Sequence, residues 1–443
     1  MRRRDLLTAA TSFGLTSVAG CLDLFGEIAT IQVPETAFVD ERIDISVTDI
    51  ESEERVWIEA ETEDGSGNRW FGRGLFEPGD GAVHLQEASP NRGTYEQTAA
   101  MGLFWSMQPG DFALPTYDTD QQTQSVRFRV VPETADDPIA ERTVERHLAA
   151  PDSDETEITS PIVGTLVESP TDGPAPGIVL FHGSGGNRPL APARLLARHG
   201  FTVLALQYFS PDVQTLPDAL VEVPVEYADS AVDWLADHEA TTEAPIGLGG
   251  ISRGGELALL VGTRHDDVGA VVNWAGAGML FNAIVLDENL DPAPETPDTS
   301  AWSIDGEPLA HPSLEAFDQG GDLTEGYRTW IEETTPEETI RAAQIPLEEI
   351  GAPILLLSGG DDQVWPSRYL LDRTEQRLET VGYDHRFEHH SYDAAGHGIG
   401  VPSLPTWPNR SGGPFGGTIA GTAAAATDAW PRVLEFFELG TNQ

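Results

Sequence analysis

The chain has 443 residues and 40% apolar content, enough for two ordinary domains with a buried core in each, which excludes fibrous, collagen-like and wholly disordered classes. Against 73 acidic side chains stand 25 basic ones, every one of them arginine, for a formal net charge of −48. That balance excludes nucleic acid as a partner, because phosphate binding needs clustered cations.

An acidic surface of this density opposes the compact state in dilute salt. In molar salt the Debye length shrinks to about 3 Å, and crowded carboxylates then keep a folded chain hydrated and soluble. With the absence of lysine, the pattern resembles proteins of extreme halophiles.

In chain order, residues 1–20 read as an export signal. Arg2, Arg3 and Arg4 lead into a short apolar stretch from Leu6 to Gly20, too short for a stable bilayer span. The arginines ahead of Asp5-Leu6-Leu7 resemble a twin-arginine signal. Val18-Ala19-Gly20-Cys21 resembles a lipobox, and Cys21 is the single cysteine of the chain, so lipid attachment rather than an internal disulfide is expected of it. These features predict an exported protein held at the outer face of the cell membrane by its lipid alone.

Residues 28–150 show a period of two. Ile43, Ile45 and Val47 alternate with polar residues, as do Val56, Ile58 and Ala60, and Val126, Phe128 and Val130. Turn chemistry such as Asp64-Gly65-Ser66-Gly67 separates them, predicting a small all-β sandwich without helices. The acidic stretch Ala150 to Glu157 reads as a domain boundary.

From 160 to 440 the grammar changes to buried strands alternating with helices. Strands are expected at Gly177–Phe181, Thr202–Leu206, Ile246–Ile251, Val268–Trp274, Pro353–Ser358 and His385–Tyr392. Helices are expected at Leu190–His199, Val225–His238, Arg253–Gly262 and Leu370–Val381. The fold class is therefore α/β, a doubly wound parallel sheet of α/β-hydrolase type behind the sandwich. An insert from about 277 to 350, rich in Pro, Asp and Glu, interrupts this rhythm and is read as a cap.

Gly250-Ile251-Ser252-Arg253-Gly254 matches G-x-S-x-G between a buried strand and a helix, the setting of a nucleophile elbow, with Ser252 at its tip. A serine hydroxyl needs a base, and the base needs a carboxylate. The strand ending at Ser358 runs into Gly359-Gly360-Asp361-Asp362, where the spacing to Pro366 favours Asp362 over Asp361. His397 follows the last strand between Gly396 and Gly398, whereas His389 and His390 lie within that strand and read as structural. An oxyanion hole is expected from the backbone N–H of Arg253 and from Gly183 or Ser184 in Phe181-His182-Gly183-Ser184-Gly185-Gly186. A phosphate loop is the rival for that segment, but the lysine and Ser/Thr of a Walker motif are missing.

With these pieces assembled, the chain resembles the acyl-CoA thioesterase and bile acid-CoA:amino acid N-acyltransferase family. The resemblance rests on Met101-Gly102-Leu103-Phe104-Trp105, Gly250 through Glu256, Gly360-Asp361-Asp362 with Trp365, Tyr392 through His397, and Asp428-Ala429-Trp430. It implies a Ser252, Asp362, His397 triad acting on acyl thioesters. Family acyltransferases tend to carry cysteine at the nucleophile, so the serine here implies a hydrolase. Members of the family work inside cells, which sets the export signal against acyl-CoA and keeps an exported carboxylesterase as an alternative. A catalytically silent surface binding protein is the alternative from another class. The expected partner is a small acyl thioester or ester, and no cofactor and no metal are expected.

Overall fold

The computed structural model describes residues 29–441 except 52–53, 111–115, 288–292, 295, 315–316, 318–320 and 407–412. The signal-like segment and Cys21 lie outside the described residues. Within them, no helix is long and apolar enough to cross a membrane.

Two sheets pack on each other at the N-terminal end, antiparallel except where the edge strand Thr36–Phe38 runs parallel to Ala140–His147. The larger has seven strands, with Val56–Glu63 between Arg69–Phe76 and Thr123–Pro132 at its centre. Along Val56–Glu63 burial alternates residue by residue, so Val56, Ile58 and Ala60 enter the core while Trp57, Glu59 and Glu61 face outward. The smaller sheet joins Thr30–Gln32, Ser46–Thr48 and Val83–His84. A one-turn helix, Gly102–Trp105, departs from the expected all-β reading; its four residues are buried. It packs against Arg69–Phe76, where Gly72 leaves room for the Leu103 carbonyl.

The second unit is an eight-stranded sheet of β1 (Glu155–Ile158), β2 (Val163–Val167), β3 (Gly177–Phe181), β4 (Thr202–Gln207), β5 (Ile246–Ile251), β6 (Val268–Trp274), β7 (Ile354–Gly359) and β8 (Phe387–Tyr392). Their order is β1-β2-β4-β3-β5-β6-β7-β8. The expectation of a parallel sheet needs correction, since β1 and β2 form an antiparallel pair and β2 runs antiparallel to β4. For β1 and β2 the physical reason is their short link, which permits a hairpin but no crossover. The acidic stretch read as a boundary also supplies β1, ahead of residue 160. From β3 to β8 every neighbouring pair is parallel.

Helices cover both faces. The two-sided burial is visible in β7: Ile354 and Leu356 face the core under α2 (Val225–Ala236), α3 (Arg253–Gly262) and α4 (Ser367–Val381), whereas Leu355 and Leu357 face α1 (Leu190–Arg198) and α5 (Ile419–Thr441). Between β6 and β7 the insert contains two short strands, Trp302–Ile304 and Glu307–Pro308, and the helices Leu323–Thr329 and Glu337–Ala342. Trp302–Ile304 pairs with Val223–Pro224 just ahead of α2, which fastens the insert to the sheet's helical layer.

The two units are joined by buried polar contacts. Asp40 accepts from His199 and Arg198 at 2.7 Å each and from Trp430 Nε1 at 3.1 Å. Arg146, 1% exposed, donates to the Val39 carbonyl at 2.8 Å and to the Ser403 carbonyl at 3.1 Å.

Candidate active site

Parallel strands leave their C-terminal ends on one edge, and the candidate residues leave from that edge: Ser252 after β5, the Asp361–Asp362 pair after β7, His397 after β8. Ser252 sits between β5 and α3 with φ 56° and ψ −121°, a conformation that costs a non-glycine residue roughly 1–3 kcal/mol and is held by its surroundings. Its N–H donates to the Trp274 carbonyl at 2.7 Å. The flanking glycines are dictated by close approach: a Cβ on Gly250 would fall on the Gly254 carbonyl, and one on Gly254 on the carbonyl oxygens of Phe181 and His182.

Asp362 is buried, at 4% exposure, and its bonds fix its direction. Its Oδ1 accepts from the N–H groups of Val364 and Trp365 at 3.0 Å each, and its Oδ2 from Ser367 Oγ at 2.6 Å. The same Oδ2 lies 2.8 Å from His397 Nδ1. That bond puts the imidazole proton on Nδ1 and leaves Nε2 as the basic nitrogen. Asp361 turns elsewhere, accepting from Gln363 Nε2 at 2.8 Å and from the Gly417 N–H at 3.0 Å, so it holds the chain ahead of α5. His389 is tied through both nitrogens, to Ser358 Oγ at 2.8 Å and Glu375 at 3.2 Å, and His390 Nε2 to Glu388 at 2.8 Å.

The loop after β3 comes up against Ser252. A Cβ on Gly183 would stand 3.2 Å from Ser252 Cβ and 3.8 Å from its Oγ. Both peptide planes of this loop are locked from behind. The His182 carbonyl accepts from Tyr208 OH at 2.5 Å, and the Gly183 carbonyl accepts from His182 Nδ1 at 2.8 Å. Because a trans peptide points its N–H opposite its carbonyl, these two bonds aim the N–H groups of Gly183 and Ser184. His182 itself stacks on Tyr208 with centroids 3.9 Å apart, and its Nε2 faces Gln207 Nε2 at 3.2 Å. Burial pushes His182 down to about 4, so it is neutral at pH 7 and keeps the tautomer these contacts require.

A buried ion pair stands behind the elbow. Arg253 and Glu256, in the first turn of α3, pair at 2.8 Å with side chains 4% and 0% exposed. Trp302 of the insert donates its indole N–H to Glu256 at 2.7 Å. Neither Gln207 and Tyr208 nor Glu256 and Trp302 carries a local sequence signal for this role; the only hint is that Gln207 and Glu256 are polar residues inside otherwise apolar runs.

Two family models match the chain. "BAAT / Acyl-CoA thioester hydrolase C terminal" covers residues 223–443, and "Acyl-CoA thioester hydrolase/BAAT N-terminal region" covers residues 40–160. Mouse mitochondrial acyl-coenzyme A thioesterase 2 is 29% identical over 91% of this chain and 87% of its own length. Mouse acyl-coenzyme A amino acid N-acyltransferase 2 is 27% identical over 93% of this chain and 97% of its own. Among solved structures, the acylaminoacyl peptidase of Pyrococcus horikoshii aligns at a TM-score of 0.41 and 15% identity, over 92% of this chain and 61% of that one.

Proposed function

The chain belongs to the acyl-CoA thioester hydrolase/BAAT family, and from that premise we propose that it is a serine hydrolase of acyl thioesters working through an acyl-enzyme. The observation that carries the reading is the 2.8 Å bond from His397 Nδ1 to a buried Asp362, on the strand edge that also bears the Ser252 elbow. In this reading Ser252 Oγ attacks the acyl carbon while His397 Nε2 takes its proton. The developing oxyanion is met by the N–H of Arg253 and that of Gly183 or Ser184. His397 then returns the proton to the departing thiol, and a water activated by the same nitrogen releases the acid and restores Ser252. Asp362 keeps the imidazole in the productive tautomer and stabilises its charged form.

Fluorophosphonate labelling in molar KCl tests the enzyme reading directly. An adduct on Ser252 that is lost in Ser252→Ala is expected; folded protein that forms none would leave a surface binding protein. A side-by-side panel of acyl-CoA and simple esters then tests the substrate. The arginine-led N-terminus and the Val18-Ala19-Gly20-Cys21 segment favour a second reading, an exported carboxylesterase anchored through a lipid on Cys21. Ester turnover without release of free thiol would select it. Replacing Cys21 with serine should then free the protein into the medium, and wild-type protein found wholly in the cytosol would overturn the anchor.

A further inference from the structure

Arg253 is the residue whose main-chain N–H follows the nucleophile, and its side chain runs away from the chemistry into the insert. Its Nη1 donates to the Asn282 carbonyl at 3.0 Å and its Nη2 to the Phe281 carbonyl at 3.2 Å. Glu256, one helical turn on, accepts from the Phe281 N–H at 3.1 Å and from Trp302 Nε1 at 2.7 Å. Two side chains of one turn therefore grip both polar groups of Phe281 and reach two separated stretches of the insert. The guanidinium also lies over Trp365, 5.3 Å from its centroid, and the Trp365 N–H is one of the donors to Asp362. One buried cation thus touches the elbow turn, the insert and the loop that carries the carboxylate.

Stability gives a poor account of such a pair. Burial pushes the Glu256 carboxyl up, against the pull of Arg253, and apolar residues of equal volume commonly replace a buried ion pair without loss. The Nε to Oε2 approach of 2.8 Å is a charge contact without hydrogen-bond alignment, and the bond the pair does make, Nη2 to Oε1 at 3.4 Å, is longer than those to the carbonyls, the Phe281 N–H and the indole. What the pair supplies is direction. Charge-assisted bonds hold the first turn of α3 against Phe281, Asn282 and Trp302 at fixed distances.

We propose that the Arg253–Glu256 pair is a strut that sets where the Arg253 N–H points by bracing the elbow turn against the insert, with Glu256 as a positioning residue. Phe281, Asn282 and Trp302 form on this account a fixed brace rather than part of a lid. The inference rests on the reading of the Arg253 N–H as an oxyanion donor. Removing one such donor outright costs about 100–1,000-fold in kcat, and a displaced donor should cost less.

The test is Glu256→Gln, which keeps shape and an acceptor for Trp302 but removes the charge facing Arg253. In molar KCl, kcat and the rate of fluorophosphonate labelling should fall about 10–100-fold while KM for a short acyl substrate stays within about twofold. A residue that only stabilises the fold would lower the melting temperature and leave kcat of the folded protein intact, and that result overturns the strut. Should Glu256→Gln fail to fold, Trp302→Phe removes the indole bond alone and should lower kcat about 3–10-fold; an unchanged kcat there overturns the proposal equally. Wild-type protein that never labels at Ser252 brings down the hydrolase reading instead. Amide exchange across residues 252–257 then judges the strut without turnover, and exchange no faster in the variant than in the wild type overturns it.

Discussion

Replacing Arg146 with methionine probes how the N-terminal sheets support the segment that carries His397. The guanidinium is 1% exposed, and among the described residues no carboxylate stands within ion-pair distance of it. It is instead solvated by carbonyls, that of Val39 at 2.8 Å and that of Ser403 at 3.1 Å, by Gln124 Oε1 at 3.4 Å, and by the face of Phe104 with its centroid 4.0 Å away. Burial pushes Arg146 down to about 9, so it still carries its charge at neutral pH. Ser403 stands on the chain leaving His397, and three residues later the Thr406 N–H donates to the Trp105 carbonyl at 3.1 Å. Methionine would fill the space but strand two buried carbonyls. Each short charge-assisted bond is worth about 1.5–3 kcal/mol. Removing the buried cation returns several kcal/mol of desolvation, so the net loss should be about 2–3 kcal/mol. At about 1 °C per kcal/mol for a chain of 443 residues the melting temperature should fall by about 2–3 °C. Thermal unfolding in molar KCl measures it, with kcat taken well below the transition, where a drop of about 3–10-fold is expected as His397 loses its rear support. A methionine variant as stable as the wild type would refute the reasoning, because the cation would then cost as much as its contacts return.

His182 predicts an acid limb. Its folded value of about 4 lies below its ordinary 6.5, so the unfolded chain takes up a proton between those values that the folded chain refuses. The stability it contributes is complete above about pH 6.5 and declines by about 3 kcal/mol as pH falls to 4. Urea midpoints across that range should fall more steeply in the wild type than in His182→Asn, and parallel curves would contradict the assignment. The net charge of −48 predicts a second dependence: on dialysis from molar to about 10 mM KCl the Debye length grows from about 3 to 30 Å, and the melting temperature should fall. An unchanged transition would show that carboxylate repulsion does not govern folding here.

What the sequence makes legible follows the range of the interaction. The Ser252 turn is legible because part of its geometry is local: a Cβ on Gly250 would meet the Gly254 carbonyl four residues on, and the apolar run of β5 leads straight into it, whereas Gly254 answers to the Phe181 and His182 carbonyls at the end of a distant strand. The choice between Asp361 and Asp362 is a matter of one residue, and there the spacing to Pro366 reflects a real constraint, since the N–H groups of Val364 and Trp365 close back on Asp362. The strands β3 to β7 read well because burial on both faces makes them largely apolar runs. β1 does not, being polar and partly exposed at the sheet edge. The helix α5 is obscured by Gly421 and Pro431 within its span.

The supports behind the site are a different matter, because each is long-range and reciprocal. Arg146 meets Ser403 across 257 positions and Trp302 meets Glu256 across 46. No periodicity or motif encodes such a pairing; a buried arginine and a buried glutamate inside apolar patterns say only that partners must exist. Both partners turn out to be main-chain carbonyls or an indole on another unit or in the insert. The elbow turn is braced by the insert, and the segment after His397 by the sheets that precede the α/β unit. A change in either should be read first in kcat, and only afterwards in whether the protein folds.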